Sequence, residues 1–311
     1  MNAYRQGPLW AITAFFNPAG SPHRLANYRL FRRALRVPLV AVELAYGPCV
    51  ELGGADADIL VQSRGSDVLW QKERLLNLAL DALPPACEAV AWLDADIVFA
   101  RADWARAAVA ALDDVALLQP FSRVHDAGGP TVGGPAADWG EPTRRSLASL
   151  LADGGIGPAQ VATARLAGEF SCTAGLAWAA RRELLARHGL YDAGIVGGGD
   201  RAIACAALGA WSGLQQQHSL GPAQWAHYLA WARPFHADAA GRIGCLPGAV
   251  LNLPHGARAA RNYRGRHAGL GRLAFDPARD ITRDAGGCWR WNTDRPELHA
   301  YVRDYLCNRG D

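Results

Sequence analysis

Lysine is almost missing from this chain: of 32 Lys and Arg residues in 311, only Lys72 is lysine. A compact ammonium cannot always be replaced by the larger guanidinium fork, so the one surviving lysine is a position of interest. Chance survival under a GC-rich coding bias is the alternative. Paired cysteines are missing too. The seven, at 49, 87, 172, 205, 245, 288 and 307, form no CxxC, which argues against a zinc module and a disulfide framework. No apolar run reaches the length of a membrane span, so no integral membrane segment is expected. The N-terminus lacks a signal-peptide layout, and reduced thiols in a cytoplasm are the expectation. The net charge of +3 is interleaved rather than gathered into a basic block, so nucleic acid is not an expected partner.

Half of the residues are apolar and a fifth are charged, as in a globular α/β protein of one large domain or two small ones. Leu9 to Phe16 reads as a strand ended by the loop Asn17-Pro18-Ala19-Gly20-Ser21-Pro22. His23 to Leu35 has helical spacing, and Val37 to Leu44 reads as a second strand with Glu43 near its end. This strand–helix–strand unit predicts a parallel sheet covered on both faces. Asp58 to Gln62 is a third short strand. Ser66 or Asp67 is predicted to cap a helix running to Leu83, whose polar face carries Lys72, Glu73 and Asn77.

The chain is organised around Glu88 to Arg101. Strand Ala89 to Leu93 runs into Asp94-Ala95-Asp96, then into the apolar run Ile97 to Phe99. Two carboxylates in apolar surroundings are costly unless a positive charge neutralises them. Mg²⁺ is typically shared between one or two carboxylates and substrate phosphates, so this strand end suggests a metal carrying a phosphorylated ligand. The alternative is a strand-to-turn junction with two solvated aspartates.

Further on, Asp103 to Leu112 is predicted helical and Val115 to Gln119 a strand. Pro120 to Pro142 is a Gly/Pro-rich loop, in which Trp139 could stack on a sugar or be buried. Helical patterns follow at 143–152 and 158–167. A strand is predicted over Thr173 to Ala179, which includes Trp178, and helices at Arg181–His188 and Pro222–Arg233. Gly197-Gly198-Gly199-Asp200 opens another helix, which ends at Gly209. Three glycines permit close approach of backbone to a ligand, and Asp200 is either a plain cap or a functional carboxylate. Gly248 to Leu253 is a last strand leading to His255, a candidate metal ligand, and Asp294 to Arg309 is a C-terminal helix. No P-loop, GxGxxG or GxSxG motif is present.

The order of these pieces resembles the GT-A fold glycosyltransferases, most nearly the β-1,4-galactosyltransferase and chondroitin-polymerase-like group, over roughly residues 9–258. The resemblance implies a mostly parallel, Rossmann-like mixed sheet flanked by helices. It divides a single domain 1–311 into a nucleotide-sugar half (1–120), a loop (120–142), an acceptor half (143–258) and a C-terminal helical extension. It implies Mn²⁺ or Mg²⁺ on Asp96 and His255, with Asp94 near the ribose of a nucleotide-sugar, a UDP-sugar foremost. Asn17, Glu43, Lys72 and Asn77 join the donor side. Asp200 would be the base for a carbohydrate or glycoconjugate acceptor, with Gly198, Gly199 and Trp178 beside it. Gly199 stands where the group has Glu, and Ile195-Val196 where it has Trp. A non-catalytic sugar-binding protein, a retaining transferase and a sugar nucleotidyltransferase are the alternatives.

Overall fold

The computed structural model describes residues 8–127, 139–163, 172–254 and 265–308. The apolar run Leu9–Phe16 forms β1, and the Asn17 loop releases the chain into α1 (Pro22–Ala34). Pro22 fits that first turn because its missing N–H would have no intrahelical partner there. β2 (Leu39–Ala45), β3 (Ile59–Arg64), α2 (Lys72–Asp81), β4 (Ala89–Leu93), β5 (Ile97–Phe99) and α3 (Trp104–Ala111) follow. The middle of the chain forms β6 (Leu117–Gln119), β7 (Arg123–Asp126), β8 (Arg144–Ser146), α4 (Leu147–Ala152), β9 (Cys172–Thr173), β10 (Ala177–Arg181) and α5 (Arg182–His188). Then come α6 (Gly199–Ala207), α7 (Trp211–Gln217), α8 (Pro222–Ala239), β11 (Ile243–Cys245), β12 (Ala249–Asn252) and α9 (Gly265–Arg272). The described chain finishes with α10 (Pro277–Asp280), the hairpin β13 (Ile281–Arg283) and β14 (Trp289–Trp291), and α11 (Pro296–Cys307).

Seven strands form the main sheet in the order β11-β6-β10-β4-β1-β2-β3. β4, β1, β2 and β3 run parallel, and β10 enters antiparallel between β4 and β6. This is the mixed, mostly parallel α/β sheet expected from the strand–helix–strand pattern. Side chains alternate across each strand. Ile12, Val40, Val42, Val90 and Trp92 face a core built with α2, α6 and α8. Ala11, Leu39, Ala41, Ala91 and Leu93 face a second core with Tyr28 and Phe31 of α1 and Trp104 of α3. A five-stranded sheet, β5-β12-β7-β8-β9, adjoins the main one. Ile97–Phe99 therefore leaves the main sheet at Asp94-Ala95-Asp96 and pairs with β12 instead.

Several expectations are corrected. The helix carrying Lys72 starts at Lys72 itself, not at Ser66 or Asp67. Asp67 accepts the Trp291 N–H at 2.8 Å, and the Gln71 amide exchanges two hydrogen bonds with the Trp289 backbone. The pattern at 143–152 opens as β8, because Arg144 and Arg145 pair with β7, and only then becomes helical. The predicted strand Thr173–Ala179 breaks at Gly175-Leu176, where Leu176 has φ 81°. α8 runs on to Ala239 through an internal Pro234. Trp178 is fully buried, stacked near Trp92 with centroids 6.4 Å apart, and its indole donates to the Ala174 carbonyl at 2.7 Å. It therefore cannot touch an acceptor. Residues 128–138 of the predicted loop, 164–167 of the second helical pattern, and His255 lie outside the described residues.

Truncating a fully buried tryptophan leaves a large cavity and an unpaired carbonyl. Trp178→Ala should lose about 3–5 kcal/mol in urea unfolding, whereas an acceptor-facing tryptophan would lose far less.

Candidate active site

Three segments far apart in the chain converge on Lys72. Its Nζ lies 2.6 Å from Oδ1 of Asp94 and 2.8 Å from Oδ2 of Asp200. All three side chains are mostly buried, Lys72 at 12% exposed and Asp200 at 18%. Lys72 is the first residue of α2, where the helix dipole disfavours a cation, so its two carboxylates must outweigh both dipole and burial. They do. Burial works to lower its pKa, but Asp200 and then Asp94 hold the ammonium well above the ordinary lysine value. On the lysine side the bridge is intact across neutral pH and is lost as alkali passes that raised value.

Asp94 stands at the carboxyl end of β4. Its N–H donates to the Leu176 carbonyl at 2.8 Å, and its Oδ2 accepts the Leu176 N–H at 3.1 Å. Holding Leu, which has a Cβ, at φ 81° costs roughly 1–3 kcal/mol, a strain seen most often at functional sites. Gly175 beside it packs closely on the cluster: a Cβ there would lie 3.2 Å from Oδ2 of Asp200, tighter than an ordinary contact.

Asp200 is the second residue of α6, reached through Gly197 (φ 83°) and Gly198 (φ 96°). Those left-handed conformations explain the glycines. Burial raises the pKa of Asp200; Lys72 opposes the rise and Asp94 adds to it. From the core side the Trp92 indole favours the ionised form, although its Nε1 lies outside normal hydrogen-bonding geometry.

The remaining expected residues divide clearly. Asn77 is not turned toward this cluster. Its amide donates to the Leu190 carbonyl and to Asp192 and accepts the Leu190 N–H. With the Arg74–Asp192 ion pair at 2.9 Å, it fastens α2 to the segment that leads into α6. Asn17 and Glu43 both grip the loop after β2. Asn17 donates to Glu51, and buried Glu43 accepts the N–H groups of Glu51 and Leu52 and the Gln62 amide. Asp96 lies two residues beyond Asp94, and its carbonyl accepts the Leu253 N–H at 2.8 Å. The chain leading to residue 255 is thus fastened beside Asp96.

Sequence reasoning missed Glu73 as a site residue, along with Gly175, Leu176 and Asp192. Glu73 was expected only on the polar face of its helix, yet it is 2% exposed and accepts the Trp70 indole N–H at 2.9 Å. Trp70 is three residues away, but the Gly199 backbone that Glu73 packs against is far along the chain, so only the neighbouring lone lysine hinted at a buried charge cluster.

No family model and no curated protein matches the chain. Residues 1–349 of TarS from S. aureus align over 86% of this chain and 64% of that one, at 12% identity and a TM-score of 0.39. The chain thus spans less than two thirds of the TarS fragment. The mannosyltransferase PcManGT from Pyrobaculum calidifontis, in complex with GDP-Man and Mn²⁺, aligns over 99% of this chain and 74% of that one, at 16% identity and a TM-score of 0.40. A 4-diphosphocytidyl-2C-methyl-D-erythritol synthase from Anaerococcus prevotii aligns over 77% and 88%, at 10% identity and a TM-score of 0.32. At these scores the alignments decide nothing about chemistry. Among the described residues no helix is long and apolar enough to cross a membrane.

Removing the ammonium leaves two buried carboxylates facing each other. Lys72→Met should lose about 3–5 kcal/mol at pH 8 by urea unfolding, and less at pH 5, where one carboxylate takes a proton. An equal loss at both pH values would mean that the bridge carries no charge stabilisation.

Proposed function

We propose that this protein is a metal-dependent inverting glycosyltransferase of the GT-A type, moving a sugar from a nucleotide donor, a UDP-sugar foremost, to an acceptor hydroxyl. The observation that carries this reading is the Lys72 bridge. It fixes the carboxylate of Asp200 beside Asp94, at the carboxyl ends of the parallel strands where open α/β sheets bind their ligands. The nearest group remains the β-1,4-galactosyltransferase and chondroitin-polymerase-like one, on the order of the motifs.

The donor side is assigned to residues 1–120 and the acceptor side to 143–258. On the donor side, Asn17 and Glu43 shape the wall formed by residues 51–52 rather than offering open polar atoms. Both oxygens of Asp94 are engaged by Lys72 and Leu176, and Asp96 is the carboxylate proposed to hold a divalent cation. Among the described residues no three His, Cys, Asp or Glu side chains group as a metal site. One carboxylate fits the habit of Mg²⁺ and Mn²⁺, which complete their shell with substrate phosphates and water; His255 is the second proposed protein ligand. Bound there, the cation supplies Lewis-acid stabilisation of the departing diphosphate.

On the acceptor side, Asp200 does the proton work. The acceptor oxygen attacks the anomeric carbon from the face opposite the diphosphate, and the carbon–oxygen bond to the diphosphate breaks. The hydroxyl proton passes to Asp200, whose Oδ2 is held by Lys72, so Oδ1 receives it. Burial makes this carboxylate a stronger base than a solvated aspartate. Gly198 and Gly199 stand beside it in the turn that opens α6. Lys72 orients the base rather than reaching the diphosphate.

Two variants test this. Asp96→Ala should fold yet lose Mn²⁺-dependent thermal stabilisation by UDP-sugars. Asp200→Asn should keep that binding and transfer sugar about 10²–10⁴ times more slowly. Product of retained configuration by NMR, or near-normal turnover of Asp200→Asn, contradicts the inverting mechanism. Binding without turnover across a panel of nucleotide-sugars makes the protein a sugar-nucleotide binder.

A further inference from the structure

We infer that Glu73 is a positioning residue for Asp200, lodging a second carboxylate from α2 in the space that glycine at 199 leaves open. The inference rests on the transferase reading and adds a residue to it. A Cβ built at Gly199 would lie 2.1 Å from Oε1, 2.3 Å from Cδ and 2.6 Å from Cγ of Glu73. No side chain at 199 can coexist with Glu73 as it stands. The backbone at 199 is not in the left-handed region, so the glycine answers to this contact and not to its own conformation.

One oxygen of the carboxylate is held by a hydrogen bond. Oε2 accepts the Trp70 indole N–H, and the Trp70 ring packs within 3.2 Å of where a Cβ at Gly197 would be. Lys72, the neighbouring residue, is the cation that Glu73 shares with Asp200. The other charged or titratable groups around the glycine turn are Asp94 through Lys72, Arg266 against Gly197, and His218 and His267 against Gly198. Two carboxylates thus flank the first turn of α6, where its dipole favours negative charge.

The consequence for Asp200 is electrostatic. Asp200 disfavours the anion of Glu73, and because a pairwise repulsion is mutual, a negative Glu73 makes Asp200 hold its proton more tightly. Burial pushes Glu73 itself up to about 7, with Lys72 opposing and Asp200 adding to the rise. The two carboxyls therefore lose their protons as a coupled pair, in two steps. If Glu73 only filled space under Trp70, its charge would be irrelevant to Asp200.

Glu73→Gln separates the two roles, since the amide keeps the shape and an acceptor for Trp70 but not the charge. The first readout is ¹³C-carboxyl NMR of Asp200 without substrate. The wild-type signal should show two inflections, one near pH 7 from its neighbour, and the Glu73→Gln signal only one. Gly199→Ala, which must displace Glu73, should remove the same inflection while leaving the far-UV spectrum unchanged. The second readout is the pH–rate profile with UDP-sugar and Mn²⁺. The step near pH 7 should vanish in Glu73→Gln, with turnover at pH 8 reduced severalfold. Identical titration curves and pH profiles in wild type and Glu73→Gln overturn the inference. A lost inflection with no transfer at any pH in either protein instead overturns the transferase reading and leaves Glu73 coupled to Asp200.

Discussion

One buried ammonium organises this protein. Lys72 starts a helix, Asp94 ends a strand and Asp200 starts another helix, and each would be unfavourable alone in its mostly buried position. Together the charges neutralise one another, and three segments drawn from positions 72, 94 and 200 must meet for any of them to be satisfied. The compact ammonium reaches both carboxylates at once, with Nζ 2.6 Å from Asp94 and 2.8 Å from Asp200, where arginine would present a larger planar fork. The rest of α2 repeats the tie by other means. Arg74 and Asn77 hold the 190–192 segment, and Gln71 with Asp67 holds the C-terminal hairpin.

The glycines around the cluster are constraints of the same kind. Gly197 and Gly198 turn the chain through left-handed conformations into α6, while Gly199 yields its side-chain space to Glu73. Leu176 takes the strain on the opposite side, holding Asp94 through its N–H and carbonyl. Such backbone is expensive and persists only where surrounding packing over-determines it. Here the overlying core supplies that packing, with Trp92 and Trp178 behind the cluster.

Strands β1 to β4 were legible because apolar runs bounded by Gly, Pro and Asn carry their own local signal, whereas β7, in the expected loop, and β8, in an expected helix, were not. β1 was expected residue for residue, and Asp94-Ala-Asp96 was expected at its strand end. Lys72 stood out through its rarity alone. What escaped depends on contacts across the chain. The start of α2 is set by Trp289 and Trp291, more than two hundred residues away, so a capping residue at 66 or 67 was plausible and wrong. The burial of Glu73 escaped because nothing local says that a glycine at 199 makes room for it. Trp178 was placed beside the acceptor by the resemblance alone, since a tryptophan in a short strand carries no mark of which face is buried.

Because Lys72 is the only lysine, selective ¹⁵N-lysine labelling gives one side-chain signal, and it reports on the bridge directly. In the folded protein that ammonium should stay protonated and exchange slowly at a pH where a solvated lysine, with a pKa of about 10.4, has begun to titrate. The signal should move to ordinary solvated behaviour in Asp200→Asn combined with Asp94→Asn. A wild-type Lys72 that titrates near the free value, with rapid exchange, would mean that no ammonium joins Asp94 to Asp200.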